Sequence, residues 1–402
     1  MSYNQGLLQP YLDVERYTCS TCPYCNGMRD PRPRYEKPDP FTFWKSIGSP
    51  KYVVAPMVDQ SELPFRLLCR KYCATLAYTP MFHSRSFAES AEYRRHSFTT
   101  CPEDRPSFVQ FCGHDADVVL KAARFVEDHC DAVDINLGCP QGIAKRGFYG
   151  AFLMEHWDVV HTIIHTLHVE LKIPVTAKMR VFDDTCMTLK YARMIRDAGA
   201  HVIAVHGRTR EQKGQETGLA DLEQIRLVRE HVGEEVPVIG NGNVLIFDDI
   251  DSNLSITGCH AVMSAEALLW DPRLFSNPRN PVLTGRTFNC SKHIRLEALA
   301  TALEYLEIVE RYPVDLGLSK AHLFKMLYHS YEIHTPMRHA LGDFNCNEGT
   351  VSLMKQHVLD LKAMEESSTI VDAPPKPTTK QKQETRRTNI PADEDFCIDF
   401  ST

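Results

Sequence analysis

The 402-residue sequence has no apolar run long enough to span a bilayer, and its first ten residues lack the charged-then-apolar pattern of a secretion signal. Both absences predict an intracellular protein with no membrane partner, cytoplasmic or nuclear. The dinucleotide fingerprint GxGxxG does not follow the first predicted strand, which removes the direct argument for a Rossmann site. A second CxxC pair is also missing. Cys19, Cys22 and Cys25 stand at metal-ligand spacing with no fourth ligand nearby, so the trio reads either as part of a zinc or iron–sulfur site or as thiols of an irregular arm. Nor is there an excess of positive charge. The formal charge is −7, so a nucleic-acid partner would have to be met by a local basic patch rather than by the whole surface. The 14 cysteines show no regular spacing and are read as reduced thiols, the usual state inside a cell. Nothing points to an obligate protein partner, and the expectation is a monomer.

What the sequence does contain is alternation. Residues 1–48 form an irregular arm punctuated by Pro23, Pro31, Pro33, Pro38 and Pro40. Apolar strands are then predicted at 52–57, 76–81, 107–111, 132–137, 175–179, 202–206, 236–240 and 261–264, mostly separated by amphipathic helical patterns. A polar excursion at 82–105 and a glycine-rich loop with Gly142, Gly147 and Gly150 interrupt the rhythm. Strand–helix alternation implies a parallel sheet, and this many repeats fit a (β/α)8 barrel over 49–286 better than an open doubly wound sheet. Residues 287–365 carry only helical periodicity and read as a smaller all-helical domain. There Lys320, His322, Phe324, Lys325, Tyr328, His329 and Arg338 interleave charge with flat rings. Such a face can hold RNA, and equally can be a solvated helix whose aromatics belong to the core. Residues 366–402, rich in proline, threonine and charge, are expected to be a disordered tail.

In a barrel of this kind the chemistry sits at the C-terminal ends of the strands. Those ends carry Pro56 and Met57, Gln110, Asn136 and Cys139, Lys178 and Arg180, His206 and Arg208, Asn241-Gly242-Asn243, and finally Ala265-Glu266. Amides, a lysine, a histidine and arginines around one mouth suit a polar heterocycle bearing a phosphate. Cys139 stands at a Gly-Cys-Pro corner where the proline stops the strand, so a thiol is presented at the mouth. The same residue type is also at home as a small buried hydrophobe.

The blocks Ala55-Pro56-Met57, Asn136-Leu137-Gly138-Cys139-Pro140, Ala177-Lys178-Met179-Arg180, His206-Gly207-Arg208-Thr209 and Asn241-Gly242-Asn243 resemble, in order and spacing, those of the tRNA-dihydrouridine synthases. The loop 141–153 resembles the eukaryotic branch acting on D-loop positions 16 and 17. The resemblance implies an FMN-binding barrel followed by a helical tRNA-binding domain, with NADPH as reductant and tRNA as partner. It places Pro56 and Met57 along the flavin, Gln110 and Lys178 on its ring system, His206 near the ring, and Asn241, Gly242 and Asn243 toward its phosphate. Where the family has a phosphate-side Gly-Arg pair this chain has Ala265-Glu266, which removes a cation. Asn136, Arg146, Arg180, Arg208, Lys320 and Lys325 are the expected substrate contacts.

The implied reaction delivers hydride from flavin N5 to C6 of a uracil while Cys139 protonates C5 from the other side. An ordinary thiol pKa of ~8.5 suits that acid role without an activating base. Three other readings remain open on the residues alone. One is an FMN barrel reducing a small molecule, another an aldolase using Lys178 as a Schiff base, and the third a tRNA-binding protein without turnover.

Overall fold

Strands β2 (Leu76–Tyr78) and β4 (Ser107–Cys112) are buried at every position, so neither face can be left to water. Such strands pair in parallel with helices outside. The remaining strands are β1 (Tyr52–Val54), β3 (Phe82–His83), β5 (Ala132–Leu137), β6 (Val175–Arg180), β7 (Ile203–His206), β8 (Val238–Asn241) and β9 (Ala261–Ser264). All pairings are parallel, and the sheet closes because β1 pairs with both β2 and β9 while β2 also pairs with β4. The computed structural model that shows this describes residues 34–214, 217–276 and 291–370. Cys19, Cys22 and Cys25, and the tail beyond residue 370, lie outside the described residues. Among the described residues no group of three or more His, Cys, Asp or Glu is placed to hold a metal ion, and no helix is long and apolar enough to cross a membrane.

Strand β3 is not a separate stave of the barrel. It continues the line of β2 along β4, with Phe82 opposite Phe111 where Ala77 lies opposite Ser107, so the wall is an 8-strand barrel. The sequence predicted one strand over 76–81. Pro80 breaks it, because proline has no N–H for the ladder. Thr79 bridges the gap by accepting the Gln110 N–H on its hydroxyl at 3.1 Å. The excursion at 82–105 holds two short helices, Ser84–Glu89 and Ala91–Ser97, and the glycine-rich loop holds another, Gly142–Gly147. Helices Asp248–Thr257 and Thr335–Gly342 lack a clear apolar stripe in sequence and went unpredicted. Within the helical periodicity of 287–365, the stretch 316–333 divides into two helices, Leu316–Met326 and Tyr328–Ile333.

Period-two alternation decides what faces the barrel interior. Val53, Leu76, Phe108, Ala204, Ile239 and Met263 pack together there with Phe43 and Trp44. Those two aromatics come from the helix Pro40–Ser46, whose start is fixed by Asp39 accepting the Phe41 and Thr42 N–H groups at 3.1 Å. They plug the N-terminal end, which leaves one open mouth at the C-terminal ends of the strands.

The C-terminal helices pack on the barrel through Leu63–Lys71. Helix Lys292–Arg311 sets Leu299, Ala302, Leu306 and Val309 in one apolar cluster with Phe65 and Leu68. One buried polar cluster pins this packing, and a second ties the C-terminal helices to one another. Glu62 accepts the Tyr305 hydroxyl at 2.8 Å and pairs with His322 at 3.0 Å. Arg295 and Glu365, both side chains fully buried, pair at 2.7 Å, and His334 reaches the second Glu365 oxygen at 3.2 Å.

Candidate active site

The floor of the mouth is a chain of hydrogen bonds that starts inside the barrel. Asp134 points inward from β5 and is fully buried, accepting the Thr176 hydroxyl at 2.6 Å and the Gln110 amide N–H at 2.8 Å. Burial pushes its pKa up to about 6, against the pull of those two donors and of Lys178. Gln110 in turn accepts the Asn136 amide at 2.8 Å, and Asn136 Oδ1 accepts the backbone N–H of Gly138 at 3.1 Å and of Cys139 at 2.9 Å. The two amides expected to touch ligands therefore also orient the corner that carries the thiol. Asp134 and Thr176 were missed as site residues; a carboxylate at an inward position of an apolar strand was the available signal.

Cys139 is held from its other side as well. Its carbonyl accepts the Ala151 N–H at 3.0 Å, and Gly150 lies directly against it. At Gly150 φ is +65°, and a Cβ would fall 2.8 Å from Cys139 O and 2.9 Å from Cys139 Cβ. Only glycine permits both the backbone angle and the approach. Gly150→Ala is expected to lower turnover about 100-fold by displacing the thiol, since misplacement by ~1 Å has that cost. A steady-state assay together with a thermal melt separates this from loss of fold, which should change much less.

A brace crosses to the loop after β7. Arg180 donates to Gly138 O at 2.6 Å and to Thr209 O at 2.7 Å, Lys213 donates to Pro140 O at 3.0 Å, and Arg210 pairs with Glu155 at 2.7 Å. Arg180, expected as a substrate contact, thus spends at least two N–H groups holding the thiol-bearing corner. Cys139 is partly buried, and burial raises its pKa, opposed by the Gln141 backbone and the charges of Arg180 and Lys178. The thiol keeps its proton at neutral pH.

On the adjoining strands β6 to β8 stands a wall of donors. Lys178 donates to Asn241 Oδ1 at 3.0 Å, leaving two ammonium hydrogens, and burial followed by repulsion from Arg180 lowers its pKa to about 8. Asn241 is fixed by donating to Met263 O at 2.9 Å. Burial, then Lys178, Arg180 and Arg208, push the pKa of His206 well below 6.5, so it is neutral. Its Nε2 lies 3.0 Å from Arg208 Nη1. Arginine only donates, so His206 Nε2 accepts and the ring proton sits on Nδ1. Asn243 spends both ends of its amide on the Ala220 backbone at 2.8 Å. At Gly242 φ is +129° and a Cβ would fall 2.4 Å from Ala220 Cβ, so glycine there lets Ala220 pack against the loop. Glu266 faces Arg208 electrostatically, beside Ala265 at the start of the short helix Glu266–Trp270. Pro56 and Met57 are half-buried on the loop after β1, which closes on itself where Ser61 accepts the Met57 N–H at 3.1 Å.

The expected contacts outside the mouth fare differently. Arg146 is exposed on Gly142–Gly147, near Tyr149. Lys320 donates to the carbonyls of Gly342 at 2.6 Å and Phe344 at 3.2 Å, and Lys325 lies 4.9 Å over the Trp270 ring. His322 and His329 are buried. The basic–aromatic face is therefore largely engaged within the protein. A pocket of about 620 Å³ lined by Lys37, His168, Arg196, His201 and Glu235 lies at the plugged end, away from the strand ends.

A closed parallel barrel whose strand ends gather a protonated thiol and, on the adjoining strands, cationic and neutral N–H donors has the layout of a (β/α)8 enzyme. The chain belongs to the dihydrouridine synthase (Dus) family, whose pattern matches residues 53–362. It is 46% identical over 331 residues to tRNA-dihydrouridine(16/17) synthase [NAD(P)(+)] of Schizosaccharomyces pombe, covering 79% of this chain and 81% of that one. Identity to the Saccharomyces cerevisiae enzyme of the same name is 48% over 306 residues, covering 74% and 70%. The human tRNA-dihydrouridine(20a/20b) synthase [NAD(P)+]-like protein is 35% identical over 243 residues, covering 60% and 75%.

Proposed function

We propose that this protein reduces uridine to 5,6-dihydrouridine in the D-loop of tRNA, at positions 16 and 17, with FMN as bound cofactor and NADPH as reductant. The observation that carries the reading is the Cys139 thiol, kept protonated by burial and fixed by Asn136 and Ala151 beside the strands that carry Lys178 and His206. The 46% and 48% identities to the 16/17 enzymes, against 35% to a 20a/20b protein, support the positional assignment.

The donor set fits a flavin. An isoalloxazine offers ring nitrogens and carbonyls along one edge, and Lys178, His206 Nδ1–H and the spare Gln110 N–H supply donors without competing acceptors. Gly242 and Arg208 would serve the phosphate side, Arg208 supplying the cation that Ala265-Glu266 does not. When bound and reduced, FMN supplies the hydride. Cys139 Sγ gives its proton to uracil C5, and the raised thiol pKa favours its recharging from solvent at neutral pH. Asn136 and Arg180 hold the thiol-bearing corner in place beside the pyrimidine. Bringing a base out of the folded tRNA costs a few kcal/mol, which contacts at the mouth must recover. Mapping dihydrouridine in an unmodified tRNA transcript after incubation with FMN and NADPH tests the reading. Product at positions 16 and 17 is expected; no product, with flavin bound and bleached by NADPH, would overturn the substrate assignment.

Lys178 gives a pH signature. Its value of about 8 lies below the ordinary 10.5, so between those pH values the unfolded chain binds the extra proton. Through this group the flavin-free protein therefore gains stability as pH rises across that window. Flavin affinity runs the other way, because the ammonium that donates to the ring is lost above pH 8. A charged hydrogen bond is worth roughly 1.5–3 kcal/mol, so affinity is expected to fall about five- to tenfold from pH 7 to 9. Fluorescence titration should show this, and Lys178→Met should bind weakly with a flat profile.

A further inference from the structure

Most arginines among the described residues lie within ion-pairing distance of a carboxylate. The exceptions gather mainly in two places. One is the mouth, with Arg146, Arg180 and Arg208. The other is a groove of about 630 Å³ on the flank of the barrel, where Arg94, Arg95 and Arg311 meet Phe98, Phe125 and Tyr312.

The groove is built from three parts of the chain. Helix Ala91–Ser97 supplies Arg94 and Arg95, the end of helix Ala116–Arg124 supplies Phe125, and the end of Lys292–Arg311 supplies Arg311 and Tyr312. Arg94 is locked in place: it donates to Phe87 O at 2.6 Å and its guanidinium lies 3.9 Å over the Phe125 ring. Phe125 is nevertheless 44% exposed. Arg95 and Arg311 are exposed, with no carboxylate in ion-pairing distance among the described residues. Glu103 feels the charge of Arg311 without closing on it, and its carboxylate is bonded to its own backbone and to Cys101. In a chain of net charge −7, such a cluster is kept at the cost of mutual repulsion, and it complements a polyanion. Helices Ser84–Glu89 and Ala91–Ser97 connect the groove along the chain to His83, whose ring is 5.8 Å from Tyr149.

The geometry points to this groove as a second RNA contact site, holding backbone phosphates of the tRNA whose uridine is at the mouth, with the aromatic wall available to a splayed base. The inference rests on tRNA being the substrate. Arginine forks suit phosphate, and one substrate long enough to reach both clusters explains why neither is given carboxylate partners in ion-pairing distance.

The test compares the full chain with Arg95→Glu/Arg311→Glu in direct binding to an unmodified tRNA transcript across a salt series, alongside dihydrouridine formation. Lys45→Glu, on the exposed side of the plugging helix, is the charge control. The double variant is expected to bind tRNA roughly tenfold more weakly, with the slope of log affinity against log salt reduced by about 1.5–2, while Lys45→Glu does not change either. Equal affinity and slope in the double variant and the wild type would overturn the site, whether the groove takes an acidic protein or nothing. If the wild type binds tRNA through Arg95 and Arg311 but makes no dihydrouridine, the site stands and the activity falls; if it makes dihydrouridine indifferently to both arginines, the activity stands and the site falls. Unchanged thermal midpoints exclude misfolding as the cause of weaker binding.

Discussion

Cys139→Ala is expected to abolish most dihydrouridine formation, by ~100- to 10,000-fold, which is the usual worth of a positioned acid. Flavin should remain bound and still be bleached by NADPH, because the wall that holds the ring, Lys178 with Asn241 and His206 with Arg208, makes no side-chain bond to the thiol. The backbone that fixes Cys139 also survives the change, since Asn136 and Ala151 bond to its main chain rather than its sulfur. Single-turnover reduction of tRNA by prereduced enzyme is the cleanest measurement, as it isolates the step after NADPH. Cys139→Ser tests less: a hydroxyl is a far weaker acid than a thiol, yet it still occupies the position. A normal rate in the alanine variant would remove the proton-donor role.

The largest effect on stability is expected from Arg295→Met. It strips Glu365 of the guanidinium at 2.7 Å and leaves a fully buried carboxylate with His334 alone. Breaking one side of a buried pair costs about 3–5 kcal/mol, most of it the penalty of the orphaned charge. The thermal midpoint should fall by roughly 10 °C, given ~2–4 °C per kcal/mol in domains of comparable size. Arg295→Met/Glu365→Leu should recover most of the loss, because the expense lies in the stranded carboxylate rather than in the missing bond. Failure of the double variant to recover would mean that the pair's wider contacts, including Arg295 to Ile370 O at 2.9 Å, carry the stability instead.

Much of this was legible in the residues. The barrel follows from strand–helix alternation, and the strand-end rule gathers Gln110, Asn136, Cys139, Lys178, His206 and Asn241 from the sequence alone. What the sequence could not show is how polar groups are spent. Lys320 reads as a free cation, yet its ammonium closes on two backbone carbonyls. Asn243 reads as a ligand-facing amide, yet both ends serve Ala220. Arg180 reads as a substrate contact, yet it ties two loops together. Each depends on where distant main chain passes, which no local pattern encodes. Pro80 is the converse case: a local rule was available and the strand at 76–81 was still carried through it. Gly150 was marked as a loop glycine, but its reason, a sulfur-bearing residue pressed against its α-carbon, is a tertiary contact.

The ladder from Asp134 through Gln110 and Asn136 has a practical reach. The thiol's orientation is set from inside the barrel, so the activity is not a property of the surface segment that bears it. Grafting residues 138–153 onto a foreign eight-stranded scaffold would transplant a cysteine and leave its compass behind. Portability would require four interior positions to travel as a set, Gln110, Asp134, Asn136 and Thr176, and divergence in such enzymes should be tolerated far more readily in the outer loops than at these hidden amides and acids.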